Sequence, residues 1–316
     1  MENSTFKTFD GLDIYYSFWD NLSNYDGDKP KGIIQIIHGM AEHSGRYNDF
    51  AIYLNSIGYI VYATDHREHG RTAKKIEDIG YVKDNDIFHM VKDEQLFTLL
   101  IKDKYKDLPF FILGHSMGSF ILQKYLQHMG IVALMGTDSK VHIKGTIIMG
   151  SAFRSFEYYL AQFISLCFLK IFGDKRIKLL EKIFFNKFRL NFISKVASSF
   201  ISTEEKEVKR YEEDPYCAMT FSTKFYYELF TFMIDVFKRY NMELIDLDIP
   251  LFIVSGKKDP VGGKSKKIEK LYAEYQYLGD RDVSMKIYTN SLHEIIHDKE
   301  KKQVYNDIKE WLNKRC

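Results

Sequence analysis

At 316 residues the chain can hold one large α/β domain or about two smaller ones, and its 45% hydrophobic and 28% charged residues are those of a globular protein with a substantial core. Lysine and arginine number 45 against 43 aspartates and glutamates, a formal charge of +2 that argues against a nucleic-acid footprint spread over the molecule. Three widely spaced cysteines, Cys167, Cys217 and Cys316, fit reduced thiols better than a disulfide framework or a zinc site. The first ten residues lack a basic and then apolar leader, and no apolar run reaches the ~20 residues of a membrane span, so the expected location is cytoplasmic.

In chain order, residues 4–8 and Asp13–Trp19 flank an Asp10-Gly11 turn and read as an antiparallel hairpin. Gly32–Ile37 is the first largely apolar strand and runs into His38-Gly39-Met40. A helix over Asn48–Ser56, a stop at Gly58 and a second buried strand, Tyr59–Thr64, imply a parallel pair. A helix over 88–103, with Val91, Leu96, Leu99 and Leu100 expected on one face, precedes the apolar strand 110–113. Gly114-His115-Ser116-Met117-Gly118 follows at once and feeds a helix over 120–129. After another strand at 143–149 the chain turns helical and aromatic from 151 to 227. Strands at 251–255 and Val283–Tyr288, separated by a helix over 264–277, resume the pattern, and Trp311 and Leu312 lie on a closing helix. The expected architecture is a mostly parallel sheet flanked by helices, from 1–150 and 228–316, interrupted by a helical insertion over 151–227.

Glycines flank Ser116 in G-x-S-x-G, the pattern of a sharp strand-to-helix turn that lifts a serine hydroxyl over a helix N-terminus. A serine hydroxyl becomes nucleophilic when a neutral imidazole accepts its proton and a carboxylate fixes the imidazole tautomer. In the order serine, acid, histidine, Asp259 follows the 251–255 strand and His293 follows Val283–Tyr288, each just past a strand's C-terminal end. The backbone N–H of Met117 supplies one oxyanion donor, and the N–H of Met40, beside Gly39, is the candidate for the second. Glu42, His43 and Arg46 read as a structural polar cluster. The spacing offers no metal constellation and no phosphate or dinucleotide loop, so no cofactor is expected.

The runs HGMAEHSGRY from His38, DHREHGRT from Asp65, GHSMGS from Gly114, GKKDP from Gly256 and LHEI from Leu292 resemble the monoacylglycerol lipase and lysophospholipase branch of the α/β-hydrolases, which is grouped with some serine aminopeptidases. The resemblance spans roughly residues 10 to 150 and 235 to 316. It implies an α/β-hydrolase fold with 151–227 as its helical cap, Ser116 as nucleophile, Asp259 as acid, His293 as base, Met40 and Met117 as oxyanion donors, and a small lipid ester as substrate. One position departs from it: Glu68 stands where that branch has glycine in DHRGHG.

From 170 to 195, eight basic residues meet two acidic ones among many aromatic and aliphatic side chains. Such a segment can lie peripherally on an anionic membrane or admit acyl chains, with Phe184, Phe185 and Phe188 as expected substrate contacts; cap packing explains it nearly as well. Two other functions stay open on the sequence. An aminopeptidase would use cap carboxylates such as Glu204, Glu205, Glu212, Glu213 or Asp214 to hold a substrate ammonium, and a non-catalytic binder would have no use for all three of Ser116, Asp259 and His293.

Overall fold

A computed structural model describes residues 1–135, 141–189, 197–279 and 282–316, with the side chains of 185–189 and 197–198 outside the description. The strands are β1 (Glu2–Lys7), β2 (Asp13–Trp19), β3 (Gly32–Ile37), β4 (Tyr59–Thr64), β5 (Phe110–His115), β6 (Gly145–Met149), β7 (Leu251–Gly256) and β8 (Val283–Tyr288). The helices are α1 (Asn48–Ser56), α2 (Asp86–Lys104), α3 (Met117–Leu134), α4 (Phe156–Phe172), α5 (Lys178–Arg189), α6 (Glu205–Glu213), α7 (Thr223–Val236), α8 (Arg239–Met242), α9 (Lys266–Leu278) and α10 (Lys301–Asn313).

The strands form one sheet in the order β1-β2-β4-β3-β5-β6-β7-β8, antiparallel at β1, β2 and β4 and parallel from β4 to β8. Every residue of β3, β4, β5, β6 and β7 is buried, as a parallel sheet covered on both faces requires. One face packs on α1 and α10 through Phe50, Leu54, Ile308 and Trp311, and the other on α2, α3 and α9 through Phe97, Phe120, Leu126 and Ile268. The parallel crossovers bring the loops after β3, β5, β7 and β8 to the carboxyl edge of the sheet.

The expected face of α2 is corrected. Leu99 and Leu100 are exposed, while Met90, Val91, Glu94, Phe97, Thr98 and Ile101 turn inward. The sheet presents a polar residue there: Gln35, fully buried in β3, donates to Glu94 Oε2 at 2.6 Å and accepts from Thr98 Oγ1 at 2.7 Å. A buried amide must be satisfied, so a carboxylate takes a position that an apolar pattern would give to leucine.

The long insertion leaves the sheet after β6 and returns at β7. Its α4 and α7 pair through stacked Tyr158 and Phe230 and a Gln162 Nε2 to Thr231 Oγ1 hydrogen bond of 2.8 Å. The second half of α7 is anchored on the sheet helices: Phe232 meets Phe88, Lys124 Nζ bonds Asp235 Oδ2 at 2.7 Å, and Gln127 Nε2 donates to the Val236 carbonyl at 2.8 Å. A boundary at 227 therefore cuts through α7, which belongs to cap and core together.

Candidate active site

Ser116 links β5 to α3 with φ 51° and ψ −119°, a left-handed backbone that a serine adopts only when its surroundings impose it. They do so by close approach. A Cβ on Gly118 would fall 2.1 Å from the Ile37 carbonyl oxygen, so only glycine lets the first turn of α3 lie against β3. Ser116 N–H donates to the Met149 carbonyl of β6 at 3.0 Å, fixing the turn to its neighbouring strand.

His293 Nε2 lies 2.9 Å from Ser116 Oγ, and His293 Nδ1 lies 3.0 Å from Asp259 Oδ2. Asp259 is fully buried; its Oδ1 accepts from Val261 N–H at 2.8 Å and its Oδ2 accepts from Ser255 Oγ at 3.3 Å. With Nδ1–H donated to the carboxylate, Nε2 offers its lone pair to the serine proton. Burial pulls the His293 pKa down, but the Asp259 carboxylate, by charge and hydrogen bond, and the charges of Glu294 and Glu42 outweigh it and leave the pKa above 6.5.

Met117, the first residue of α3, and Met40, in the turn after β3, border the same cavity as Ser116. The turn comes close to the serine: a Cβ on Gly39 would stand 3.0 Å from Ser116 Cβ. A buried cluster holds it there. Glu42 Oε1 accepts from Gly39 N–H at 2.6 Å, from Tyr47 Oη at 3.0 Å and from His115 Nδ1 at 2.9 Å. Arg46 reaches Glu42 at 3.2 Å and grips both oxygens of Glu294, at 2.6 and 2.8 Å. Burial alone would raise the Glu42 pKa, but His115 and Arg46 carry it well below the usual carboxylate range. Glu42 and Arg46 are thus the structural cluster expected of them. The parts that sequence reasoning missed are His115 and Glu294, neighbours of Ser116 and His293, whose adjacency in the chain was the available signal.

The insertion contacts the His293 loop directly. His293 N–H donates to the Phe200 carbonyl at 3.3 Å, Glu294 N–H to the Ile201 carbonyl at 2.7 Å, and the Phe200 ring lies 5.8 Å from the imidazole. Over Ser116 opens a cavity of about 300 Å³. Its walls are Phe120 of α3, Tyr158, Leu160, Ala161 and Ile164 of α4, Ile183 and Phe184 of α5, and Tyr226, Leu229, Phe230 and Met233 of α7. Phe184, one of the expected substrate contacts, lies on this wall and packs on Tyr226 and Phe230; Phe185 and Phe188 lie outside the described side chains. Among the described residues, most of the wall comes from α4 and α7.

The acids considered for binding an ammonium, Glu204, Glu205, Glu212, Glu213 and Asp214, do not line this cavity, and Asp214 is held by His43 Nε2 at 3.0 Å. His43, Asp214 and Cys217 do bring ligand atoms within 4.8 Å of one another, a grouping the sequence spacing did not reveal. His43 Nδ1 accepts from Gly45 N–H at 3.2 Å, which places the imidazole proton on Nε2, facing Asp214. The lone pair a cation needs is occupied, so the geometry is that of a hydrogen-bonded tie between cap and core.

A family model described as "Serine aminopeptidase, S33" matches residues 28–300. A monoacylglycerol lipase of Mycolicibacterium smegmatis is 26% identical over 311 residues, covering 98% of this chain and 95% of its own. Among solved structures, a thermostable carboxyl esterase from Bacillus coagulans in complex with glycerol superposes with a TM-score of 0.86 at 24% identity, covering 99% of this chain and 98% of its own. A soluble variant of monoglyceride lipase from Saccharomyces cerevisiae in complex with a substrate analog does so with 0.75 at 22% identity, covering 99% and 94%.

Proposed function

Because the chain belongs to the serine aminopeptidase S33 family of hydrolases, we propose that this carboxylic ester hydrolase cleaves esters of lipid alcohols, with monoacylglycerol or lysophospholipid as substrate, through an acyl-enzyme on Ser116. The observation that carries the reading is the hydrogen-bonded chain Asp259, His293, Ser116, whose serine lines an apolar cavity. His293 Nε2 takes the Ser116 proton as Oγ attacks the ester carbonyl carbon, and the N–H groups of Met40 and Met117 receive the oxyanion. As the tetrahedral intermediate collapses, the proton passes to the alcohol oxygen and the alcohol leaves. Water then gives a proton to His293 and its oxygen to the acyl carbon, and His293 passes that proton to Oγ as the acyl–Oγ bond breaks, releasing the fatty acid and restoring Ser116. The named lipases among the relatives support ester hydrolysis over peptide hydrolysis, and Glu204, Glu205, Glu212, Glu213 and Asp214, the acids considered for an ammonium, do not line the cavity.

Peripheral membrane contact through the cap is part of the same proposal. No helix among the described residues is long and apolar enough to cross a membrane. Yet α4 is apolar on both faces, with Tyr158 and Ala161 inward and Phe156, Tyr159 and Phe163 exposed, and Lys178 and Lys182 are exposed on adjacent α5. Vesicle sedimentation tests this part: replacing Phe156 and Phe163 with serine should weaken binding to anionic vesicles, and unchanged binding would remove the contact from the proposal.

The test of the reaction is fluorophosphonate labelling followed by turnover of monoacylglycerols, lysophospholipids and aminoacyl anilides. Labelling lost in a folded Ser116→Ala protein, with the lipid esters preferred, is the expected result. An unlabelled native enzyme, or preference for the anilides, would overturn it.

A further inference from the structure

The two N–H groups proposed for the oxyanion belong to peptides whose other ends are carbonyls: Met40 N–H shares a peptide with Gly39 C=O, and Met117 N–H shares one with Ser116 C=O. In a trans, planar peptide the C=O and N–H bonds point in opposite directions, so whatever holds the oxygen also aims the hydrogen. Both oxygens are held by fully buried side chains. His38 Nδ1 lies 2.7 Å from the Gly39 carbonyl oxygen. Ser119 Oγ lies 2.6 Å from the Ser116 carbonyl oxygen, which also accepts from Ser119 N–H at 2.9 Å.

The partners fix where the protons sit. A carbonyl only accepts, so His38 carries its proton on Nδ1; His66 N–H only donates, so its 3.0 Å contact with His38 Nε2 requires a lone pair there. His38 is therefore a neutral imidazole in a single tautomer, and burial, reinforced by His66 and His69, pulls its pKa well below 6.5. His66 Nε2 in turn donates to the His38 carbonyl at 3.0 Å, tying down the backbone that carries the ring. The one proton of the Ser119 hydroxyl goes to the Ser116 carbonyl by the same reasoning, while its oxygen rests 2.7 Å from Ser151 Oγ, fully buried after β6.

We propose that His38 and Ser119 are positioning residues of the oxyanion hole, each holding and polarising the carbonyl of one donor peptide so that Met40 N–H and Met117 N–H stand aimed before substrate arrives. The inference rests on the serine-hydrolase reading above, with Met40 and Met117 as its donors, and adds the side chains on which those donors depend. Donors fixed in advance need no reorientation as charge develops on the substrate oxygen. A hydrogen bond accepted by the peptide oxygen also makes the N–H of that peptide a stronger donor. Neither His38 nor Ser119 lines the cavity, so both act on the transition state and leave substrate binding to the walls.

A long-chain alkyl trifluoromethyl ketone reads the hole directly. Ser116 Oγ adds to its carbonyl carbon, the Oγ proton passing to His293 and the C=O electron pair to the oxygen, which becomes the oxyanion. In Ser119→Ala and in His38→Leu, kcat on monooleoylglycerol, counted per fluorophosphonate-titrated site, should fall about tenfold, less than the loss of a whole donor would bring. Ketone affinity should fall by the same factor while KM stays within about twofold of the parent. His38→Asn places an amide N–H where Nδ1–H stood, without an acceptor for His66 N–H, and should recover most of the kcat lost in His38→Leu. Counting titrated sites removes misfolded molecules from the comparison, and His38→Ala replaces His38→Leu if the leucine variant does not fold. Three results would overturn the proposal: kcat and ketone affinity within about twofold of the parent in either arm, a loss carried by KM, or His38→Asn no faster than His38→Leu. Failure of the underlying reading would look different, since the parent would then be neither labelled nor inhibited by the ketone, and a wrong Met40 assignment would leave Gly39→Ala at full rate.

Discussion

A single methyl group on Gly39 tests whether the Met40 N–H serves the oxyanion. The added Cβ would stand 2.7 Å from Glu42 Oε1 and 3.0 Å from Ser116 Cβ, both inside van der Waals contact. Neither neighbour can swing aside: Glu42 is bonded to Tyr47, His115 and Arg46, and Ser116 is pinned by its turn between β5 and α3. The Gly39–Met40 peptide must therefore retreat from the serine. Such overpacking costs about 1–3 kcal/mol of stability. The chemical cost is larger, because losing one oxyanion donor removes about 10²–10³ in kcat. Gly39→Ala should lower kcat on monooleoylglycerol by about a hundredfold while KM, set mainly by the cavity walls of α4 and α7 away from Met40, moves less than about threefold. Fatty-acid release measured beside thermal melting decides it: a folded Gly39→Ala enzyme with kcat within about threefold of the parent would refute the Met40 assignment.

If His293 is the base, as proposed, it must be neutral to act, so kcat/KM should fall on an acid limb lying above 6.5, activity being lost as pH drops through its raised pKa. Asp259→Asn removes the charge that raises it and leaves burial, so the residual limb should move to lower pH as the rate drops about 10³–10⁴-fold; a limb that stays in place would reopen the choice of acid. Ala161 lies on the cavity wall, and Ala161→Phe should exclude about two acyl methylenes, each worth roughly 0.8 kcal/mol, lowering long-chain relative to acetyl-ester turnover at least about tenfold. An unchanged ratio would take the acyl chain out of this cavity. Glu68 has φ 57°, and burial, with Asp86 and Asp78 adding and Lys83 and Arg67 opposing, pushes its pKa up to about 7. Glu68→Gly should therefore stabilise the fold by about 1 kcal/mol through the backbone alone, with a further gain that grows as pH rises from 4.5 to about 7. Melting curves at both ends of that range check the sign, and a less stable glycine variant would refute it.

Those parts of the fold whose burial is two-sided were the most legible. The nearly continuous apolar runs of β3, β4, β5 and β7 and the glycine stop at Gly58 placed these strands to within a residue or two, because a strand covered on both faces has no regular polar alternation to blur it. The face of α2 was misread where the core is polar, since nothing local announces that Gln35 wants Glu94 and Thr98 as partners. Glu68 illustrates the reverse: the position at which the resembling family carries glycine keeps a left-handed backbone with glutamate in it, held by a Gly80 N–H to Glu68 carbonyl bond of 2.8 Å. The cap was legible as helical but not as a wall. Which faces of α4 and α7 enclose the cavity depends on how the two helices pair, and both helices are apolar almost all round.

The same distinction separates the residues of the site. Ser116 and Asp259 take their places from the sheet: one from a glycine-enforced turn against β3, the other from the β7 turn, where Val261 N–H and Ser255 Oγ hold its carboxylate. Both could be placed by counting from strand ends. His293 also follows a strand, but its loop is fastened to the insertion by the carbonyls of Phe200 and Ile201, by Ser202 Oγ on the His297 carbonyl at 2.8 Å and by Thr203 N–H on Asp298 Oδ1 at 3.1 Å. Arg46, salt-bridged to Glu294, secures it from the other side. The imidazole is thus positioned by three segments about 90 to 250 residues apart in the chain, and a hydrogen bond to a serine tolerates only a few tenths of an ångström of error. The inserted segment therefore has two tasks that cannot be varied independently: its α4 and α7 enclose the cavity, and its residues 200–203 hold the loop of the histidine that faces the cavity floor.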